Sequence, residues 1–385
     1  MEGDVQHWWH EPDGKGIRSR YSDDLLWLPY VVSAYLKATG DYSILERKEP
    51  FLESPVLLEE EEERYEVPAI SAEVDTVYNH CLRAIDKALQ FGSHGLPLMG
   101  GGDWNDGMNR VGDHTEGESV WLAWFLLCVL NRFVDMALLM GDAALAERYE
   151  EEVRRLLQVI DPAAYDGNWY RRAYFSTGEP LGSATCAECA IDSISQSWGA
   201  IALWEIVCSE KKRSTRLVEP ELKERYFSHL KSAMDNVEQY LVMREAGIVK
   251  LLTPPFETSS PNPGYIQGYI AGVRENGGQY THAAVWYVKG LLCMAKLLPE
   301  QYGFYMERAG AVLRMINPVN HTATPLQVAR YQVEPYVVAA DVYADPDGRI
   351  EGKGGWTWYT GAAGWLQQVA QEYYEMIKQN LASFE

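Results

Sequence analysis

"GGGDWNDGMNRVGDHTEGESVWLAWFLLCVLNRFVDMALL", residues 100–139, shows how this chain is organised. Its first part, residues 100–112, opens with three glycines and has neither a helical nor a strand period. From Val120 onward the apolar residues continue for long enough to form a buried helix, which we predict over 118–139. The stretch therefore predicts a glycine-rich polar loop that leads directly into a helix.

Helical patterns cover most of the remaining chain. In "AEVDTVYNHCLRAIDKALQ", residues 72–90, apolar residues recur every three or four positions, and Ser71 is placed to cap the helix. Strand signals are few: "YVVAADVYA" at 336–344 is the best, and the acidic run from Glu59 is typical of a solvated loop or helix end. We predict an all-α fold, with further helices over 22–38, 143–159, 188–208, 219–242, 281–298, 302–315 and 361–381.

Composition narrows the possible partners. The chain has 55 acidic and 34 basic residues, a net charge of −21, which argues against nucleic acid or an anionic membrane as the main partner. The N-terminus lacks the pattern of a secretory signal, and no run approaches the ~18 uncharged apolar residues of a membrane span. We therefore expect a cytoplasmic protein with no membrane partner. Cys186 and Cys189 form a C-x-x-C without a second pair, so we expect no metal site.

Four glycine- and aromatic-rich segments each lead into a predicted helix. They are "GGGDWNDG" (100–107), "GSATCAECAIDS" (182–193), "ENGGQYTH" (275–282) and "GGWTWYTGAAG" (354–364). If alternate helices of a ring run in the same direction, such loops collect at one end and form a shared pocket. Tryptophan faces and polar side chains suit the binding of a sugar, although aromatic residues serve equally well as the core of a large helical protein.

The first, third and fourth of these segments resemble the family 94 glycoside phosphorylases, and are most similar to the phosphorylase-like region of cyclic β-1,2-glucan synthases and to β-1,2-oligoglucan phosphorylases. The matching stretches also include "EGDVQHWWHEPDGKGIRSRYSDDLLWLPYVV" from Glu2, "WYRRAYFSTGEPLGS" from Trp169, "IDSISQSW" from Ile191 and "NPVNHTATPLQVARYQVEPYVVAADVYA" from Asn317. The resemblance implies a single catalytic domain over 1–385 with an (α/α)6 toroid fold. It implies phosphorolysis of a β-glucoside, with inversion at the anomeric carbon and no cofactor besides phosphate as co-substrate.

The resemblance also implies a catalytic acid. Asp106 corresponds to the general acid that protonates the glycosidic oxygen, and Trp104 and Asp103 correspond to residues of the sugar site. Phosphate is already an anionic nucleophile, so this reaction needs an acid but no general base. We expect burial beside Trp104 and Asn105 to favour the protonated acid. Without the resemblance, the same residues would equally suit an Asx turn or a calcium-like loop.

Other segments are implied to bind phosphate and sugar. His282, Thr360 and Gly361 correspond to phosphate ligands, and the amide of Gly361 would lie at the start of a helix, where an anion is favoured. Glu275 corresponds to a ligand of sugar hydroxyls. The remaining residues implied to bind substrate are Arg18, Arg20, Asp24 and Gln196, although Arg18, Arg20, Asp23 and Asp24 could equally form salt bridges with one another.

The chain also departs from the family. Full-length members carry an upstream R-D-x-x-Q-D segment, which does not occur in this sequence. We therefore expect a toroid that is open at its N-terminal side, with a companion chain or a homodimer completing it. Two alternatives to a phosphorylase stay open: a carbohydrate-binding fragment without turnover, and an (α/α)6 glycoside hydrolase.

Overall fold

The computed structural model of the protein describes residues 3–113, 116–345 and 348–382, so Met1 and Glu2 of the N-terminal segment lie outside it. The described residues form two compact units. Unit 1 is drawn from Met1–Ala163 and Ala173–Glu179, and unit 2 from Ala164–Arg172 and Pro180–Glu385. The prediction of one domain, like that of a toroid, stays a prediction.

Unit 1 combines helices with short strands. Its helices are α1 (Asp24–Thr39), α2 (Val77–Ala88), α3 (Val120–Leu139) and α4 (Ala143–Ala164). Its strands are β1 (Gln6–His10), β2 (Lys15–Ser19), β3 (Lys48–Glu53), β4 (Glu63–Glu66), β5 (Ala69–Thr76), β6 (Glu118–Ser119) and β7 (Ala173–Tyr174).

Helix α3 forms the core of unit 1. Every residue from Val120 to Asn131 is buried, as expected of a helix that is apolar on all sides. Its N-cap is Ser119, whose hydroxyl accepts a hydrogen bond from the Leu122 amide at 3.0 Å. Among the described helices, α3 alone is long and apolar enough to cross a membrane. Its apolar 18-residue stretch is 78% buried inside the protein.

The strands of unit 1 correct two sequence predictions. The acidic run was predicted as a loop or helix end, but Glu63–Glu66 forms β4, which pairs antiparallel with β2. The α2 helix begins at Val77 rather than near Ser71, because Ala69–Thr76 forms β5 against β3. The N-cap is therefore Thr76, which accepts a hydrogen bond from the Asn79 amide.

Unit 2 is also mainly helical. Its helices are α5 (Ser193–Arg213), α6 (Pro220–Tyr240), α7 (Thr281–Leu297), α8 (Tyr302–Ile316), α9 (Pro325–Tyr331) and α10 (Thr360–Ala382). Its strands are β8 (Pro180–Leu181), β9 (Ile191–Asp192), β10 (Val242–Met243), β11 (Ile248–Val249), β12 (Leu252–Thr253), β13 (Gln279–Tyr280) and β14 (Asp341–Val342). The α7 helix is central, since α5, α8 and α10 all pack against it.

The helix-rich fold with few, short strands is confirmed in the described part of the chain. Every predicted helix is present, with ends that differ by a few residues. The α5 helix starts five residues later than predicted because Asp192 caps it, accepting from the Ile194 amide at 2.8 Å. Of the strand predicted over 336–344, only Asp341–Val342 forms, and the short α9 was not predicted.

Candidate functional site

The glycines of the 100–112 loop are required by its close contact with the chain before α1. Gly102 has a φ of 137°, and a Cβ placed on it would lie 2.6 Å from the Tyr21 ring. Gly100 has a φ of 61°, and its Cβ would lie 2.5 Å from the Arg20 carbonyl oxygen. The loop is tied to this chain segment by the Ser22 amide, which donates to the Gly102 carbonyl at 2.9 Å.

Asp103 fixes the loop to helix α3. Its carboxylate is fully buried and accepts from the Ser119 hydroxyl at 2.7 Å and from the Asn105 amide at 3.2 Å. Because Ser119 is also the N-cap of α3, this hydrogen bond sets the loop against the first turn of the helix. In the structure Asp103 therefore has an architectural role beside the residue predicted to be catalytic.

Asp106 is more accessible than the sequence led us to expect. It begins a short 3-10 helix, Asp106–Met108, and its side chain is 41% exposed, whereas Asn105 is 1% exposed. The expected burial of the carboxylate is therefore wrong. Trp104 beside it is half-buried. The loop thus presents Asp106 to solvent while holding Asp103 inside the unit.

His7, a residue that the sequence did not single out, lies between Asp106 and Asp24. Its Nδ1 is 3.0 Å from Asp24 Oδ1, and its Nε2 is 3.4 Å from Asp106 Oδ2. The Ser19 hydroxyl donates to Asp24 Oδ2 at 2.9 Å, and the Tyr21 ring lies 4.8 Å from the imidazole. The structure thereby brings the predicted residues Asp24 and Asp106 together through one imidazole.

The two carboxylates hold His7 protonated. Burial by itself lowers the pKa of His7, but its hydrogen bonds to Asp106 and Asp24, together with their negative charges, raise the pKa to about 10. The carboxyl group of Asp23, in contrast, has a raised pKa because it is buried and its charged neighbours are negative. Burial, with the nearby charges of Asp24 and Asp103, raises the pKa of Asp23 well above its usual range, although Trp27 Nε1 donates a hydrogen bond to its carboxylate at 2.8 Å.

Arg18 and Arg20 bond to other parts of unit 1. Arg18 pairs with Asp4 at 2.6 Å and donates to the carbonyl oxygens of Ser54 and Pro55. Arg20 donates to the carbonyl oxygens of Glu61 and Leu58 at 2.8 and 2.6 Å. Both guanidinium groups therefore hold the chain between β3 and β4. Their predicted contact with sugar stays a prediction.

In unit 2, the residues predicted to bind phosphate lie together. His282 is the second residue of α7, and Thr360 and Gly361 begin α10. A Cβ placed on Gly361 would lie 3.6 Å from His282 Cε1 and 3.7 Å from Nδ1, so the start of the helix lies close to the imidazole. Thr360 and Gly361 are exposed. Burial beside Trp286 lowers the pKa of His282 to about 4, so the imidazole is neutral at pH 7.

Asp341 links the two segments that carry these residues. It lies opposite Tyr280 in the β13–β14 pair, two residues before His282. Its side chain accepts from the Trp356 amide at 3.0 Å, four residues before Thr360. The carboxylate is 1% exposed, and burial raises its pKa.

Glu275 and Gln196 have different surroundings. Glu275 Oε2 lies 3.3 Å from Arg274 Nε, and the Arg274 guanidinium lies 5.9 Å from the Trp356 ring centroid, on the segment leading to α10. Gln196 is completely buried. Its amide accepts from the Tyr170 amide at 2.9 Å and donates to the Tyr170 and Asp192 carbonyl oxygens at 2.6 and 3.0 Å. The structure gives Gln196 a structural role, and its predicted contact with sugar stays a prediction.

Sequence comparisons agree with the resemblance. The profile of the family described as "Glycosyl hydrolase 94 superfamily, catalytic domain" matches residues 2–374. The cyclic beta-(1,2)-glucan synthase NdvB of Rhizobium meliloti (strain 1021) is 44% identical over 373 residues, which cover 97% of this chain and 12% of that protein. Solabiose phosphorylase of Paenibacillus borealis is 28% identical over 370 residues, 94% of this chain and 41% of that enzyme.

A third relative, the 3-O-beta-D-glucopyranosyl-beta-D-glucuronide phosphorylase of Paenibacillus borealis, is 29% identical over 268 residues, 69% of this chain and 30% of that enzyme. The chain thus spans less than half the length of each of these relatives. The family resemblance predicted from the loop motifs is confirmed.

Proposed function

Because the chain belongs to the glycosyl hydrolase 94 superfamily, we propose that it acts as an inverting glycoside phosphorylase, with Asp106 as the general acid. One observation carries the assignment of the acid. Of the two carboxylates in the D-W-N-D motif, Asp103 is buried and bonded to the cap of α3, while Asp106 is accessible to a substrate. Two of the three relatives are phosphorylases, which supports the class of reaction.

The reaction explains why one acid is enough. A phosphate oxygen attacks the anomeric carbon from the face opposite the glycosidic bond, and the bond's electron pair stays on the departing sugar oxygen. That oxygen takes a proton from Asp106. A hydrolase of the same geometry would need a second carboxylate to activate water, whereas phosphate is already anionic.

We propose that unit 2 supplies the phosphate site through His282, Thr360 and Gly361. The support is their adjacency: the start of α10 lies against the His282 ring. The first amides of a helix have no intrahelical acceptor and point toward an anion, and the helix dipole adds to this attraction. A neutral His282 contributes one N–H donor without a charge of its own.

The substrate that we propose is a β-1,2-linked gluco-oligosaccharide, released as α-glucose 1-phosphate. The support is the similarity to a cyclic beta-(1,2)-glucan synthase, which is 44% identical to this chain. We propose further that the chain contributes its helices to an (α/α)6 toroid, as the family resemblance implies. No resident cofactor enters the reaction.

The proposal is tested by incubating the chain with β-1,2-gluco-oligosaccharides and inorganic phosphate, alone and with a polypeptide carrying the family's R-D-x-x-Q-D segment. We expect glucose 1-phosphate in at least one arm, and none without phosphate. Asp106→Asn should reduce the rate by ~10²–10⁴-fold while the fold is kept, because the amide retains the shape but carries no acidic proton. Sugar binding by calorimetry without turnover in either arm would instead support a carbohydrate-binding protein. Free glucose formed without phosphate would support a hydrolase.

A further inference from the structure

Strand β1 carries an irregularity at the position of His7. Gln6 pairs with Arg18 and Trp9 pairs with Gly16, so two residues of β1, His7 and Trp8, stand opposite one residue of β2. Such a bulge re-aims side chains and is common beside active sites. Here it accompanies an imidazole that contacts Asp24 and Asp106, while the Trp8 ring contacts Tyr65, 5.4 Å away.

Four side chains contact one another in series, from Ser19 through Asp24 and His7 to Asp106. Ser19 donates to Asp24, Asp24 accepts from His7 Nδ1, and Nε2 on the other side of the ring faces Asp106. The Asp24 side chain is 12% exposed and that of His7 is 21% exposed, whereas Asp106 at the open end is 41% exposed. The ring is thus anchored at its inner nitrogen and directs the outer one at the proposed acid.

On the premise of the proposed function, we propose that His7 is the proton reservoir of the general acid, holding the proton that Asp106 passes to the departing sugar. As the glycosidic bond breaks, the Asp106 carboxylate takes the Nε2 proton of His7 and passes it on to the leaving oxygen. The imidazole becomes neutral and keeps its Nδ1 proton on the hydrogen bond to Asp24.

The protons balance over a turnover. Hydrogen phosphate enters with one proton, and the sugar phosphate ester that it forms releases that proton near neutral pH, since such a group has a pKa of about 6. His7 regains a proton from solvent, which its exposed fraction allows. The 3.4 Å separation of Nε2 and Oδ2 suits this role, because hydrogen bonds between catalytic groups are often long before substrate binds.

The groups that face His7 come from three segments. Asp24 begins α1, Asp106 lies in the glycine-rich loop, and Tyr21 lies between β2 and α1. Both carboxylates favour the imidazolium, and the pKa of His7, raised to about 10, agrees with this geometry. Tyr21 stays a neutral phenol, because burial and the charge of Asp106 raise its pKa. His7 therefore stays protonated well above neutral pH.

The test is the pH dependence of kcat/KM for phosphorolysis in His7→Gln, using whichever arm of the phosphorolysis assay is active. We expect the rate at pH 7 to fall about tenfold or more, and the alkaline limb of the profile to move down by at least about one pH unit, because the reservoir is lost. Asp24→Asn should move the limb in the same direction by less. His10→Gln is the matched control: His10 lies on the same strand but contacts Trp8 and Tyr65, so its profile should overlay the wild-type profile.

A His7→Gln profile with the wild-type alkaline limb would overturn the proposal, even if the rate were lower, since a purely structural role lowers the rate without moving the limb. A second measurement does not depend on turnover. The pKa of the His7 imidazole, followed by NMR, should fall in Asp106→Asn, and an unchanged pKa would refute the pairing. Absence of phosphate-dependent turnover in the wild type, with the NMR shift present, would refute the proposed function and not the pairing.

Discussion

Lowering the pH should destabilise the protein through His282, the buried histidine of the proposed phosphate site. Burial lowers the pKa of this imidazole from 6.5 to about 4. The unfolded chain therefore binds more protons than the folded chain between these two values. The stabilisation is fully present above pH 6.5 and is lost as the pH falls toward 4.

The size of this effect follows from the two pKa values. Between pH 7 and pH 5 the unfolded histidine becomes almost fully protonated while the folded one stays mostly neutral, so the free energy of unfolding drops by about 2 kcal/mol. We expect His282→Gln, which does not titrate, to lack this component. Carboxylates that also titrate do so in both proteins, and the difference between the two curves isolates the histidine.

The assay is urea unfolding followed by tryptophan fluorescence at pH 7, 6 and 5, for the wild type and His282→Gln. Between pH 7 and pH 5, the free energy of unfolding should fall by about 2 kcal/mol more in the wild type than in the variant. Parallel curves for the two proteins would contradict this prediction, because they would mean that His282 titrates alike in the folded and unfolded chains.

Three further predictions concern single side chains. His282→Ala should raise the KM for phosphate far more than the KM for sugar; a change in the sugar KM alone would place His282 in another subsite. The pKa of His7 is raised in the folded chain, so the stabilisation that its charge provides is present below pH 6.5 and is lost as the pH rises through about 10. The thermal midpoint of the wild type should therefore fall toward that of His7→Gln over this range. A constant difference between the two midpoints would contradict the pairing of His7 with the carboxylates. Burial alone would raise the pKa of Glu188, but hydrogen bonds from the Ser259 hydroxyl and from the Glu257 and Thr258 amides lower it to about 2. The stabilisation by Glu188 is therefore present above pH 4.5 and declines below it. The thermal midpoint of Glu188→Gln should depend less on acid than that of the wild type, and an equal dependence would contradict this prediction.

The helices were the most predictable part of the fold. A continuous apolar run such as Val120–Leu130, or a three-to-four spacing of apolar residues, requires no distant partner to be recognised. The strands were less predictable. Of the described strands, β14 alone lies within a predicted strand, and pairs such as β2–β4 and β3–β5 join segments that are distant in the chain. The acidic β4 has no strand signal of its own and is ordered by pairing with β2. Ser71 looked like a helix cap because the apolar pattern of α2 continues backward into β5.

The candidate site was likewise only partly predictable from the sequence. The loop motif and the family resemblance predicted Asp106 as the general acid, which stays a prediction. They also predicted a shared site for His282 and Gly361, and the structure places these two residues close together. The resemblance could not show that Asp106 is exposed, or that Gln196 bonds to the main chain. His7 carried no signal beyond its position in a matching segment. Its contacts with Asp24 and Asp106 depend on a bulge in β1 and on the approach of the 100–112 loop to the start of α1, which are tertiary features.

The identity of the product decides whether phosphate, rather than water, accepts the glucosyl group. The measurement is ³¹P and ¹H NMR of the reaction of β-1,2-gluco-oligosaccharides with phosphate, catalysed by the wild type or by Asp106→Asn in the active arm of the assay. We expect α-glucose 1-phosphate as the sole new sugar phosphate from the wild type, and a rate at least ~10²-fold lower from the variant. Formation of β-glucose 1-phosphate, of free glucose independent of phosphate, or of equal product by Asp106→Asn would contradict the proposed reaction.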